Sequence, residues 1–195
     1  MMNTKFKILQ HTATEFDWHI LYRIEAIRDF GDVKAGDLGG YVESENNLSD
    51  EGKCWIYNDA KVYEDAKVLN NAKIYDNAKI MDCAAITDNC HIFGKARVVD
   101  CSMVRDNAEV YGHSLISEHA LVYGNAHICG YAHAAGESRV YGDCEVYGNT
   151  VVTKHGVISG NAIVHGNSYI SGGIITGDAK VKDIELRKRS QYVCR

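Results

Sequence analysis

The sequence predicts an all-β solenoid, a chain wound into a rod of short stacked strands. Three observations predict it. A small residue recurs at every sixth position, an aliphatic residue follows two places after each, and a turn-forming residue two places after that.

The small series begins Cys54, Ala60, Ala66, Ala72, Ala78, Ala84, Cys90, Ala96 and keeps its register to Ala162 and Ser168. The aliphatic series begins Ile56, Val62, Val68, Ile74, Ile80 and reaches Ile170, with Ala134 its one weak member. Side chains two apart on a strand share a face, so both series point inward and the residues between them point out. Each short strand must then turn. The corner positions are Asn58, Asn70, Asp76, Asp82, Asp88, Gly94, Asp100, Asp106, Gly112, Gly124 and onward, with only Glu64, Glu118 and Lys154 departing from Gly, Asn or Asp. Those three residue types enter the left-handed region at least cost. After Ser168 one residue is lost, and the pattern resumes as Gly173-x-Ile175 and Ala179-x-Val181. The chain has no proline, which fits a structure made almost wholly of ladder donors.

Composition excludes several classes. Apolar residues at 46% and charged residues at 24% are those of a folded, soluble chain. A net charge of −5 argues against a general nucleic-acid binder. No run of apolar residues is long enough to span a membrane, and the first ten residues lack a secretory apolar core. A cytoplasmic location is therefore expected. The seven cysteines are scattered, without zinc or redox spacing.

Arg28-Asp29-Phe30-Gly31-Asp32-Val33 through Gly36-Asp37-Leu38-Gly39-Gly40-Tyr41-Val42-Glu43, with Asn47-Leu48-Ser49 through Trp55, resembles the lead-in of the YdcK-type β-solenoids and of similar short phage and prophage proteins. The hexad pattern resembles that of left-handed β-helices, and this resemblance implies a single-stranded left-handed β-helix with three sides per coil. Gly40-x-Val42 and Asn46-x-Leu48 read as two irregular sides before the regular run. The expected rod has about eight coils at roughly 4.8 Å each, so its length is on the order of 35–40 Å. Its expected organisation is an N-terminal β cap and lead-in over residues 1–39, the solenoid over 40–183, and a short C-terminal cap over 184–195. Exposed sheet edges at the ends of a rod require such caps.

With three sides per coil, residues eighteen apart stack. One outward column then reads Tyr57, Tyr75, Phe93, Tyr111, Cys129, Tyr147, His165, either a self-supporting ladder or a binding face. Beside it runs Trp55, Lys73, His91, Glu109, His127, Glu145, Ile163, in which His and Glu can pair. His91, His127 and His133 faintly resemble the zinc histidines of γ-carbonic anhydrases, but His127 and His133 are six apart where that family's close pair is five apart, so no metal is expected. Toward the C-terminal end the outward position is apolar on every side, at Val151, Val157, Ile163, Tyr169 and Ile174, and needs cover from the C-terminal tail or, as expected here, from a homo-oligomeric contact. Lys61, Lys67, Lys73 and Lys79 are expected to keep the other end wet. Glu64, Asp82, Asp100 and Glu118 stack at one corner, as a cation or basic-partner site or simply as turn residues. Cys83 and Cys101 also stack, outward, and can oxidise, while Cys54, Cys90 and Cys144 read as core.

The expected function is non-catalytic and stoichiometric, with no cofactor. A rigid rod would bind a protein partner through its aromatic column, and the phage resemblance implies an inhibitor of a host nuclease or defence complex. The alternatives are a hexapeptide-repeat enzyme, acyltransferase or γ-carbonic-anhydrase-like, with its site at a subunit interface, and a self-assembling scaffold. Direct nucleic-acid or membrane contact is not expected.

Overall fold

In the computed structural model, which describes residues 3–187 and 191–194, every sixth-position expectation is met. Strands of two to four residues repeat from Trp55–Ile56 onward, each pairing in parallel with the strand one coil further on. They build three sheets. The first face holds Lys61–Val62, Lys79–Ile80, Arg97–Val98, Leu115–Ile116 and His133–Ala134, the second Lys67–Val68 through Val157–Ile158, and the third Trp55–Ile56 through Ile163–His165. Coils are tied to one another by ladder bonds such as Tyr75 N–H to the Ile92 carbonyl at 2.8 Å and Tyr111 N–H to the Ile128 carbonyl at 2.9 Å.

The inward series is buried throughout. Ala60, Ala66, Ala72, Ala108, Val62, Ile74, Ile92 and Val110 are all fully enclosed. Burying each Val or Ile contributes roughly 1.5–3 kcal/mol, while the small residue beside it lets three faces approach one axis. Cys54, Cys90 and Cys144 lie in this core as expected.

Every named corner adopts positive φ, including the three departures: Glu64 at 57°, Glu118 at 59° and Lys154 at 57°. Geometry imposed by the coil overrides side-chain preference at those three positions. Asp and Asn do more than tolerate the conformation. The Asp82 carboxylate accepts the Asp100 N–H at 2.9 Å, Asp76 accepts that of Gly94 at 2.9 Å, and Asp106 that of Gly124 at 3.0 Å. One place along, side-chain amides form a ladder from Asn71 through Asn89, Asn107 and Asn125 to Asp143 at 2.7–3.2 Å. Such ladders recur where identical residues stack at strand spacing.

Four strands begin the chain: β1 Phe6–Ile8, β2 Thr14–Phe16, β3 His19–Ala26 and β4 Leu38–Val42. They run antiparallel, β1 and β2 on β3 and β3 on β4, and β4 then pairs in parallel with Lys61–Val62. The cap is thus a continuation of the first face. Phe6 and Phe30 close edge-on over Trp55 at 6.4 and 5.4 Å between ring centres, burying an outward-facing Trp that would otherwise be wet. Asn47 plugs an irregular side, its amide donating to the Glu64 and Ala66 carbonyls. At the other end, Glu185–Arg187 adds to the first face beside Tyr169–Ser171, and Gln191–Cys194 to the second beside Ile174–Gly177. The last residues therefore extend the coil as strands. The single-residue loss appears as Val157 opposite Ile174. No helix among the described residues is long and apolar enough to cross a membrane.

Candidate functional site

The third face carries the aromatic column, and its rings do stack. Tyr57 and Tyr75 lie 4.5 Å apart and 16° from parallel; Phe93 and Tyr111 lie 4.6 Å apart at 3°. Tyr147 stacks on His165 at 4.9 Å. Cys129 interrupts the series. The interaction of the Tyr111 phenol with its sulfur, together with partial burial, pushes the Tyr111 pKa up to about 12. At the cap end Tyr57 donates to both carboxylate oxygens of Asp32 at 3.0 Å, so its hydroxyl is engaged within the chain. Tyr57 also packs against the core, and Tyr75, Phe93, Tyr111 and Tyr147 are half-buried. Next to them, around the corner, His113 stacks on Tyr131 at 4.9 Å, and Tyr131 is 65% exposed. The sequence reading passed over that second pair because it lies on a corner, outside the strand columns.

Glu109 sits between His91 and His127, with each Nδ1 3.7 Å from one of its carboxylate oxygens. The alternation places one carboxylate between two imidazoles. His133 belongs to the first face and stands apart from the other two histidines; its Nε2 is 2.8 Å from Ser117 Oγ. Half-burial lowers the His133 pKa below the ordinary histidine value, partly offset by the Glu118 charge. Among the described residues no group of three or more His, Cys, Asp or Glu side chains is placed to hold a metal.

At the acidic corner the carboxylates are occupied by backbone. Glu43 caps the Glu64 N–H at 2.7 Å, Glu64 that of Asp82 at 2.6 Å, Asp82 that of Asp100, and Asp100 that of Glu118 at 2.8 Å. Glu64, Asp82 and Asp100 each meet a backbone donor, which offsets the repulsion of like charges stacked there. At the start of this column His19 is held between Glu43 Oε1 at 3.0 Å and Glu64 Oε1 at 3.3 Å, a clamp between cap and coil. The hydrogen bond to Glu43 raises the His19 pKa, with burial opposing it. Nothing in the six-residue pattern announces this contact, because His19 and Glu43 lie outside the repeat.

Val151, Val157, Ile163, Tyr169 and Ile174 do not form one patch. Val151 and Tyr169 lie on the first face, Val157 and Ile174 on the second, and Ile163 on the third. The Arg187 guanidinium covers the Tyr169 ring at 5.6 Å. The lysines of the opposite end are also less wet than expected: Lys61 and Lys79 lie over the Phe16 ring at 5.0 and 4.4 Å, and Lys73 reaches Asp32 at 2.6 Å. Another contact absent from the sequence reading is Lys5, fully buried, with Nζ 3.2 Å from Cys54 Sγ. Cys83 and Cys101, stacked as expected, are joined in a disulfide.

No protein-family model matches the chain. A curated relative does: the uncharacterized acetyltransferase YdcK of Escherichia coli is 51% identical over 39 residues. The chain is similar to YdcK. The match takes in 20% of this chain and 12% of YdcK, and it accompanies the same solenoid architecture that the resemblance to YdcK-type proteins implies. The expectation of a non-enzyme is contradicted by this relative, which carries the name of an acetyltransferase. In the sequence no loop interrupts the register between Cys54 and Ile170, and no nucleophile pattern is visible. Catalytic constellations are recognised by geometry, so a pattern search over one strand register misses them.

Proposed function

We propose that the chain is a rigid recognition rod that binds a macromolecular partner through the third face. The observation that carries this reading is the run of paired rings, Phe93 on Tyr111 and Tyr147 on His165, with His113 on Tyr131 at its edge. Stacked rings locked by parallel coils lose little side-chain entropy on binding, and aromatic residues are enriched at interface centres. The resemblance to phage-borne solenoids makes a host nuclease or defence complex the partner class to try first. The test is a quantitative pull-down comparing the wild type with Tyr75→Ser/Phe93→Ser/Tyr111→Ser of matched far-ultraviolet circular dichroism. Loss of a saturable, stoichiometric partner in the variant supports the reading. Equal retention by both forms overturns it.

A second reading is acetyl transfer, favoured by the name of YdcK and by the pair of His133 and Ser117. A half-buried imidazole with a lowered pKa is neutral near pH 7 and can accept a proton from an attacking hydroxyl or amine. The Ser117 hydroxyl fixes the ring. Thiol release from acetyl-coenzyme A with a panel of amine and hydroxyl acceptors, lost in His133→Ala, supports this reading; no release above background in the wild type sinks it.

A further inference from the structure

The disulfide between Cys83 and Cys101 lies at an exposed corner, joining adjacent coils with their Cα atoms 4.8 Å apart. One coil further in the same column stands His119, also exposed. The two cysteines and His119 line one open cleft of ≈ 480 Å³ with Asp82, Asp100 and Glu118. The acid groups there are not equivalent. Asp82 and Asp100 cap the N–H groups of Asp100 and Glu118, whereas Glu118 caps no N–H among the described residues. We propose that Cys83, Cys101, His119 and Glu118 form a zinc site that is closed by the disulfide and opened by its reduction.

The chemistry balances. A dithiol reductant supplies two electrons and two protons, the Cys83–Cys101 bond breaks to two thiols, and the reductant leaves as its own disulfide. Zinc binding then releases one proton from each thiol, because thiolate is the ligand form. Among the described residues of the disulfide form no group is placed to hold a metal; reduction frees two soft ligands beside the column of Asp82, Asp100 and Glu118. The geometry suits the ion. Two thiolates on tetrahedral zinc, each about 2.3 Å from the metal, stand about 3.8 Å apart, and neighbouring coils bring the two cysteines within that reach. His119 adds an imidazole from the next coil and Glu118 an oxygen from the adjoining corner. The other cysteines cannot build such a set: Cys54, Cys90 and Cys144 are buried, and Cys129 is half-buried on another part of the surface.

The experiment titrates cobalt(II), then zinc(II), anaerobically into the full chain, oxidised and phosphine-reduced, and reads the thiolate-to-cobalt charge-transfer band and competition with a chromophoric chelator. The reduced chain is expected to bind one ion with a band of two-thiolate intensity, and the oxidised chain to show no band. Cys83→Ser/Cys101→Ser removes the band, and His119→Ala weakens zinc by roughly 10-fold or more. All four positions are exposed corners, so matched melting temperatures check that the variants fold. A band that survives Cys83→Ser/Cys101→Ser places the metal on Cys129 and overturns the proposal. So does a reduced wild type that binds zinc no tighter than the oxidised form, or a His119→Ala variant that binds as the wild type does.

Discussion

Asp82 and Asp100 stand one coil apart at the same corner, and the carboxylate of the first accepts the backbone N–H of the second at 2.9 Å. Asp82 itself is held at φ 58°. A single side chain therefore answers two demands of the coil, a left-handed turn and a donor left over from the ladder.

Asp82→Ala fails both demands and Asp82→Gly only one. A non-glycine residue without a local hydrogen bond costs about 1–2 kcal/mol in the left-handed region, and the lost hydrogen bond roughly another 1 kcal/mol. Alanine should therefore lower stability more than glycine in denaturant unfolding, with asparagine close to wild type. Equal losses for alanine and glycine would refute the dual role.

Ala108 is fully buried and faces the axis of the rod. Ala108→Leu should overpack the core and cost roughly 1–3 kcal/mol. An unchanged melting temperature would show that the coil can expand locally, contrary to the packing described.

At Gly124 two constraints coincide. Its φ is 73°, and a Cβ there would meet the backbone nitrogen of Gly142 at 2.8 Å. Gly124→Val should abolish the native fold or cost several-fold more than Gly124→Asn, which accepts the dihedral but not the contact. Comparable soluble yields and melting temperatures for Val and Asn would contradict this.

The His19 clamp makes the cap pH-dependent. Its hydrogen bond to Glu43 raises the folded-state pKa of His19 above 6.5, so its contribution is complete below that value and is lost as pH rises through the raised one. Burial pushes Glu43 up, but the bonds from His19 and the Glu64 N–H outweigh it and leave its pKa below 4.5; that contribution is present above 4.5 and lost on acidification. The clamp should be firmest between 4.5 and 6.5. Hydrogen exchange over residues 14–26, corrected for intrinsic rates, should quicken from mildly acid to alkaline pH in the wild type and not in His19→Gln. The same acceleration in both proteins would assign it to another group.

Almost the whole solenoid was legible in the sequence because its period is local. Small, aliphatic and corner residues repeat within six positions, and each obeys a constraint set by its own strand or turn: burial at Ala60 and Val62, positive φ at Asn58. Even Glu64, Glu118 and Lys154, poor choices for the left-handed region, could be placed from the register alone. The stacked rings and the Cys83–Cys101 pair followed once eighteen residues were taken as one coil.

What the tertiary structure alone decided lies outside that period or depends on side-chain direction. The His19 clamp, the Lys5–Cys54 contact and the cover of Trp55 by Phe6 and Phe30 join the aperiodic first thirty residues to the coil, and no spacing rule reaches across that distance. The spread of Val151, Val157, Ile163, Tyr169 and Ile174 over all three faces followed from the register, but the cover of Tyr169 by the Arg187 guanidinium did not. At the acidic corner the sequence supplied the charges, but only the orientation of Glu64, Asp82 and Asp100 toward the next N–H shows why they can stack. Periodicity determines the path of the backbone; function and partner choice depend on where individual side chains meet, and those meetings are settled by packing in three dimensions.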